Sequence, residues 1–302
     1  MMISIESVVT KIPLLQDKKV KIHELSGGIT NHNYRVVVDE TSYVVRIPGT
    51  GSELLAINRE NEYRNTLSAS KSGVGPQVIY RLEEESVMVL EFIQGPTMSN
   101  DTLQSEEAIR RMAESLHRLH NGPEFVNIFN MFRVMEGYLQ IVKELKVRVP
   151  DGYMENASQA AQKIEAAISI HPEPLIPCHN DLLAENFIDD GSMLRIVDYE
   201  LAGNDEPCFE LGNMATEYEY DDDQIAMLCK AYFGQVDPVK IARMNLYSMM
   251  SDLGWTLWGA IQNQVSSLDF DFWEYANGRW ERVREKIYAD RFPQWLDAAG
   301  QS

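Results

Sequence analysis

The periodicity of the chain changes once, at Gln94-Gly95-Pro96, and that change limits the fold more than any other feature. Before it lie strand patterns. Tyr34-Arg35-Val36-Val37-Val38 and Tyr43-Val44-Val45-Arg46-Ile47 are β-branched and aromatic runs around Asp39-Glu40-Thr41-Ser42, which predicts a hairpin. Residues 78–81 and 87–92 flank a Glu-rich turn and predict a second hairpin; residues 54–71 between them predict a helix closed by Ser72-Gly73-Val74-Gly75-Pro76. Beyond residue 96 the pattern turns helical. Ser105 is placed to cap a helix with Glu106 and Glu107 in its first turn, Ile109, Met112, Ala113, Leu116 and Leu119 at helical spacing, and Asn121-Gly122-Pro123 as its stop. Further helices are predicted over 132–147, 153–169, 221–233, 238–263 and 271–290. The one strand-like island in this half is Phe187-Ile188 with Leu194-Arg195-Ile196-Val197, joined by Asp189-Asp190-Gly191-Ser192. The expectation is an α+β chain in two lobes: a small antiparallel β-rich lobe over residues 1–93 and a large, mainly helical lobe over 94–302. The Gly-Pro hinge lies near residue 95, and a ligand is expected in the cleft.

Charge and composition narrow the partners. Among 302 residues, 46 acidic side chains against 27 basic ones give a formal net charge of −19. A field of that sign repels nucleic acid and anionic membrane surfaces and favours cationic small molecules. No apolar run is long enough to cross a membrane, and the start Met-Met-Ile-Ser-Ile-Glu lacks the basic-then-apolar order of a secretory signal. Cys178, Cys208 and Cys229 are spaced for neither a disulfide framework nor a zinc site, so the chain reads as cytoplasmic.

Chemistry concentrates in residues 178–200. His179-Asn180-Asp181-Leu182 followed by Asn186 has the spacing of a kinase catalytic loop, with Asn in place of the usual Arg. Phosphoryl transfer needs a carboxylate that aligns the attacking hydroxyl, here Asp181. It also needs hard oxygen ligands for Mg²⁺, here Asn186 and Asp198 at the open end of the predicted hairpin. His179 is expected to brace the loop beside Asp181. Three other features join this reading. Ser26-Gly27-Gly28-Ile29-Thr30-Asn31 precedes the first strong strand, where small residues let backbone N–H groups approach phosphates; an ordinary Gly-Gly turn is the competing reading. Arg46 sits among apolar strand residues, where a cation could reach the nucleotide phosphates or simply face solvent. Glu62, on the predicted helix, is its expected partner, with Glu60 as the rival candidate.

These residues, with Leu-Ser-Gly-Gly-Ile-Thr-Asn-His-Asn-Tyr-Arg-Val, Val-Val-Arg-Ile-Pro-Gly and Ile-Val-Asp-Tyr-Glu, resemble the choline/ethanolamine kinases. That family stands within the aminoglycoside-phosphotransferase-like group with its bilobal protein-kinase-like fold. The resemblance runs from about residue 22 to 287. It implies ATP- and Mg²⁺-dependent phosphorylation of a small amino alcohol, with Asp181 as the catalytic aspartate, Asn186 and Asp198 as metal ligands, and Arg46 and Glu62 at the phosphates. It also implies that Glu91, Phe92 and Ile93 read the adenine base. Asp198-Tyr199-Glu200 stands where protein kinases carry Asp-Phe-Gly, and Glu200 is expected toward the substrate.

At the substrate end the resemblance implies an acidic residue at Glu217, an aromatic one at Tyr220, and an aromatic box of Trp255, Trp258, Phe270 and Tyr275. A quaternary ammonium donates no hydrogen bond and is held by aromatic faces. Leu201 departs from the pattern, since tyrosine is common there, and this leaves ethanolamine open beside choline. Kinases of thiamine, methylthioribose, homoserine or aminoglycosides, and a non-catalytic nucleotide-binding module, are the alternatives. A homodimer is left open.

Overall fold

The structure is a computed structural model that describes residues 3–25, 31–49 and 57–301. A short helix α1 (Ile5–Lys11) precedes strands β1 (Lys21–Leu25), β2 (Asn31–Val38) and β3 (Thr41–Pro48). The β2–β3 turn is Asp39-Glu40, both at positive φ, as a tight two-residue hairpin requires. Helix α2 (Arg59–Lys71) follows, then β4 (Val78–Leu82) and β5 (Val87–Glu91), and the five strands form an antiparallel sheet in the order β1-β2-β3-β5-β4. Strand alternation sorts its two faces. Val36, Val38, Val45, Ile47, Val87 and Val89 bury one face against Ile5, Val8 and Val9 of α1. Arg35, Val44, Arg46 and Leu90 fall on the other face, where Arg35 lies opposite Val44 and Val44 opposite Leu90.

The rest is mainly helical: α3 (Glu106–His120), α4 (Met131–Leu145), α5 (Tyr153–Ile168), the strand β6 (Ile176–Cys178), the hairpin β7 (Phe187–Asp189) and β8 (Leu194–Ile196), β9 (Gly203–Asp205), α6 (Pro207–Glu217), α7 (Asp222–Phe233), α8 (Pro238–Val265), α9 (Phe272–Tyr288) and α10 (Arg291–Ala299). The expected α+β, two-lobed, protein-kinase-like architecture is present. Long α8 is the axis of the helical lobe, packed by α4, α6, α9 and α10. Gly212 lets α6 approach it closely, because a Cβ there would lie 2.2 Å from the Met244 carbonyl oxygen.

The connection read as a hinge is fastened to the β7–β8 hairpin. Asp189 N–H donates to Pro96 O at 3.0 Å and Met98 N–H to Phe187 O at 2.9 Å. Gly95, at φ 150°, permits this, since a Cβ would sit 1.9 Å from Asp189 O. Ser105 caps α3 as expected, its hydroxyl accepting from Ala108 N–H at 3.2 Å. The helix predicted over 54–71 begins at Arg59, because Asn58 accepts the N–H groups of both Glu60 and Asn61 at 3.0 Å; residues 54–56 lie outside the described residues. Three helices carry no usable sequence pattern. The first, α1, is short and β-branched at Val8, Val9 and Thr10, α6 is buried almost all round, and α10 contains Pro293, tolerated in its first turn.

Candidate active site

The loop after β6 is built around a buried carboxylate. Glu210 of α6 accepts the backbone N–H groups of His179 and Asn180 at 2.6 and 2.8 Å and pairs with the His120 imidazole. Asn180, at φ 67°, turns its amide onto the carbonyls of Cys178 and Gly203, both at 3.2 Å. His179 is fully buried: its Nε2–H donates to Val197 O at 2.9 Å, and its Nδ1 accepts Asp181 N–H at 3.3 Å. Burial lowers its pKa, so the ring is neutral with both nitrogens spent. It braces the loop and has no nitrogen to offer a substrate.

Among the described residues no side chain hydrogen-bonds or ion-pairs with the Asp181 carboxylate. Burial, then the charges of Glu200, Asp198 and Glu217, push its carboxyl up to about 8, against the pull of Arg279. The Asn186 amide nitrogen donates to Asp181 O at 2.8 Å, which fixes the amide and turns its oxygen the other way. Val197 N–H donates to Asn186 O at 3.0 Å, so the hairpin brings Asn186 and the start of Val197-Asp198 together.

Across the cleft, Arg46 is buried and binds both lobes. Its Nε donates to Glu62 at 2.7 Å, its Nη1 to Asp198 at 3.1 Å, its Nη2 also pairs with Asp198, and Glu200 lies 3.4 Å away. Burial works against this guanidinium's charge, but Asp198, Glu62 and Glu200 outweigh it and hold the proton firmly. Arg59 adds a second cation, 2.7 Å from Glu62 and 3.4 Å from Glu200. Asn31 donates to Glu200 at 2.7 Å. Glu62 is therefore the partner of Arg46; Glu60 instead bonds Arg64 and Arg81 at the surface. Glu62, Asp198 and Glu200 each bring a carboxylate oxygen within 4.8 Å of the others. Glu200, expected toward the substrate, stands instead in this arginine cluster, because Asn31, Arg46 and Arg59 all face it.

The other expected nucleotide contacts are partly in view. Ser26, Gly27, Gly28 and Thr30 lie outside the described residues. The Glu91 carboxylate is taken by Gln77 N–H at 3.0 Å and Arg195 at 3.1 Å, Phe92 lies under the Arg35 guanidinium at 4.4 Å, and Ile93 is buried.

At the substrate end the structure gathers Trp255, Trp258, Phe270 and Tyr275. Trp258 is centred 6.3 Å from Trp255 and 5.5 Å from Tyr275, and Phe270 is 6.1 Å from Tyr275, all edge to face. Two expected members are differently employed. Both Glu217 oxygens are held by Arg279 of α9, at 2.5 and 2.7 Å, and the same guanidinium lies over Tyr275 at 4.6 Å. Tyr220 is buried beside Tyr218 with its hydroxyl donated to Leu103 O at 2.6 Å; it belongs to the core and not to the box. Sequence reasoning missed Glu210, Arg59, Arg279 and Tyr138. Glu210 has a signal, a charge inside the apolar run Cys208-Phe209-Glu210-Leu211, and Arg279 another, four residues after Tyr275 on one helix face. Tyr138 has none. It is buried on α4, its hydroxyl pKa raised by burial and then by the neighbouring Tyr275, Asp181 and Glu200.

A family model described as choline/ethanolamine kinase matches residues 22–232. A choline/ethanolamine kinase family protein from Mesorhizobium loti is 33% identical, with a TM-score of 0.86 and 97% of each chain covered. Ethanolamine kinase 2 of Rattus norvegicus is 26% identical over 93% of this chain and 81% of its own length. The choline kinase LicA from Streptococcus pneumoniae shares the fold at 23% identity and a TM-score of 0.77, over 93% of this chain and 97% of its own, and LicA has also been solved in complex with AMP. A match of that extent, carried on the same two lobes, makes the chain a member of the choline/ethanolamine kinase family and so a small-molecule kinase.

Proposed function

We propose that the protein transfers the γ-phosphoryl group of ATP, with Mg²⁺, to the hydroxyl of choline or ethanolamine in the cytoplasm. Residues 1–93 carry the nucleotide and residues 94–302 the catalytic loop and amine pocket. The observation that carries this reading is that Asn186 is tied to the Asp181 backbone and Arg46 to Asp198, with the Asp181 carboxyl in the field of Asp198 and Glu200 and itself acting on Tyr275. The donor set fits magnesium, being hard carboxylate and amide oxygens, and the described cluster sets three carboxylates against two guanidiniums. Asn186 and Asp198 would hold the ion, and Arg46 with Arg59 would face the phosphates. When bound, magnesium supplies neutralisation of charge on the phosphate oxygens. Asp181 accepts the hydrogen bond of the substrate hydroxyl and orients it for attack, while Glu210 and His179 keep the loop rigid. That LicA, which shares the fold, was solved in complex with AMP supports nucleotide binding.

The acceptor end favours a cation on aromatic faces. Glu217 is spent on Arg279, so an ammonium group meets Trp258, Phe270 and Tyr275, which suits choline. Leu201 in place of an aromatic residue works toward ethanolamine. Release of ADP, measured with choline, ethanolamine, thiamine, homoserine and kanamycin, with and without magnesium, tests both parts. Magnesium-dependent stimulation by choline or ethanolamine is expected. Stimulation by kanamycin alone would overturn the substrate, and no stimulation by any acceptor would overturn the transfer itself.

A further inference from the structure

Behind the turn that carries Tyr220, the helical lobe encloses a cavity of about 300 Å³ that the proposed reaction does not use. Thr216 and Glu219 line it from the end of α6 and the turn beyond, Asn245 and Ser248 from α8, and Arg282 and Lys286 from α9. Two cations face one space in a protein of net charge −19. Of its carboxylates only Glu219 lies on the wall, and its side chain is exposed to solvent.

Arg282 is already matched: Nε and Nη2 bond Asp252 at 2.8 and 2.5 Å. Asp252 is shared, with Arg279 at 3.3 Å and the Thr216 hydroxyl at 3.3 Å. Lys286 is not matched. Its ammonium gives one hydrogen bond, to Ser248 Oγ at 3.0 Å, and among the described residues no carboxylate comes within 4.0 Å of it. An ammonium has three donors, and a half-buried one with a single neutral partner is an incomplete site. Burial lowers the Lys286 pKa; Asp252 resists that and Arg282 reinforces it, which agrees with a cation short of a counter-charge.

We propose that this cavity is an oxyanion-binding pocket for a phosphate group, in which Lys286 and Arg282 supply the positive charge and Ser248 orients Lys286. A tetrahedral dianion accepts from several donors at once, and an ammonium beside a guanidinium meets that need. The cavity is larger than a phosphate ion alone requires, so a small phosphate monoester fits as well as the free ion. Neither Glu217 nor any member of the aromatic box lines the pocket, and it does not depend on the identity of the amino alcohol.

The test follows Lys286 itself. In full-length protein with isotopically labelled lysine, inorganic phosphate is titrated through the millimolar range at constant ionic strength, and the Lys286 Cε resonance is identified by its loss in Lys286→Met. Phosphate binding is measured in parallel by calorimetry. The expected results are a saturable shift of that resonance and a rise in its titration midpoint. Binding at this site should be about ten- to a hundredfold weaker in Lys286→Met, the loss of one charge-assisted contact, and largely restored in Lys286→Arg. Circular dichroism checks that both variants are folded. A Lys286 resonance that ignores phosphate while heat is still evolved assigns the ion to the cleft and overturns the pocket. Equal binding by Lys286→Met and wild type does the same. Phosphate is the probe, so the result stands whether or not the enzyme phosphorylates choline.

Discussion

Two clusters of arginine and carboxylate, one across the cleft and one within the helical lobe, differ in their stoichiometry. Across the cleft, Glu62, Asp198 and Glu200 face Arg46 and Arg59, which leaves one negative charge in excess among the described residues. Within the helical lobe, Glu217 and Asp252 face Arg279 and Arg282, with Lys286 nearby, which leaves one positive charge in excess. Members of the first come from strand, loop and helix in both lobes; those of the second ride on α6, α8 and α9 alone. An ion pair buried with its partners matched is structure, and one buried with a charge left over is a place for something else to bind. The lesson is that counting charges in a cluster, rather than noting that it is charged, separates the proposed cation site from the proposed anion site.

Three experiments would break or sharpen that contrast. The largest effect is expected from Asp181→Asn, which borders the acidic cluster: turnover in an ADP-release assay should fall roughly 10²–10⁴-fold, as when a positioned base is lost, with nucleotide binding kept. The same variant has a stability signature in metal-free buffer. The wild-type carboxyl titrates at about 8 when folded against its usual 3.8, so ionisation favours the unfolded chain. Wild-type stability should therefore drop relative to Asp181→Asn as pH rises from about 4 to about 8 and then run parallel. Melting curves that stay parallel throughout would remove the buried, like-charged environment assigned to Asp181.

Next comes a matched pair, Arg46→Met and Arg279→Met. Each strands one carboxylate, Asp198 in the first and Glu217 in the second, and weakens the pairing of its neighbours, and should cost about 3–5 kcal/mol in denaturant unfolding. Magnesium should restore part of the loss in Arg46→Met, because a cation can replace the guanidinium between hard oxygens, and none of it in Arg279→Met. Equal rescue in both would erase the distinction between the clusters. The smallest effect is at the hairpin that carries the loop. Arg111 holds the Asp189 carboxyl down at about 2, so the pair contributes at pH above about 4 and is lost as pH falls through 2. Asp189→Asn should cost roughly 1–2 kcal/mol at neutral pH and nothing at pH 2.

Much of this was legible one residue type at a time. The hairpins announced themselves through β-branched alternation, α3 through Ser105 and its acidic first turn, and the loop through the interval from Asp181 to Asn186 and Asp198. What was not legible depended on neighbours distant in the chain. Glu200 was read toward the substrate, and only the approach of Asn31 and Arg59 draws it into the arginine cluster. Tyr220 looked like a box residue, and only the position of Leu103 shows its hydroxyl already spent. Tyr138 is 43 residues before Asp181 with no motif between them, and α4 has to pack on α8 before it counts.

By itself the sequence determined the order of most elements and the residue types of the loop, because periodicity, capping and short-range spacing act between residues a few places apart. Tertiary structure decided which charges meet: that Arg46 takes Glu62 rather than Glu60, that Arg279 takes Glu217, and that Lys286 is left with a hydroxyl. Those pairings span both lobes or three helices, and electrostatic energy depends on distance in space, on which separation along the chain is silent.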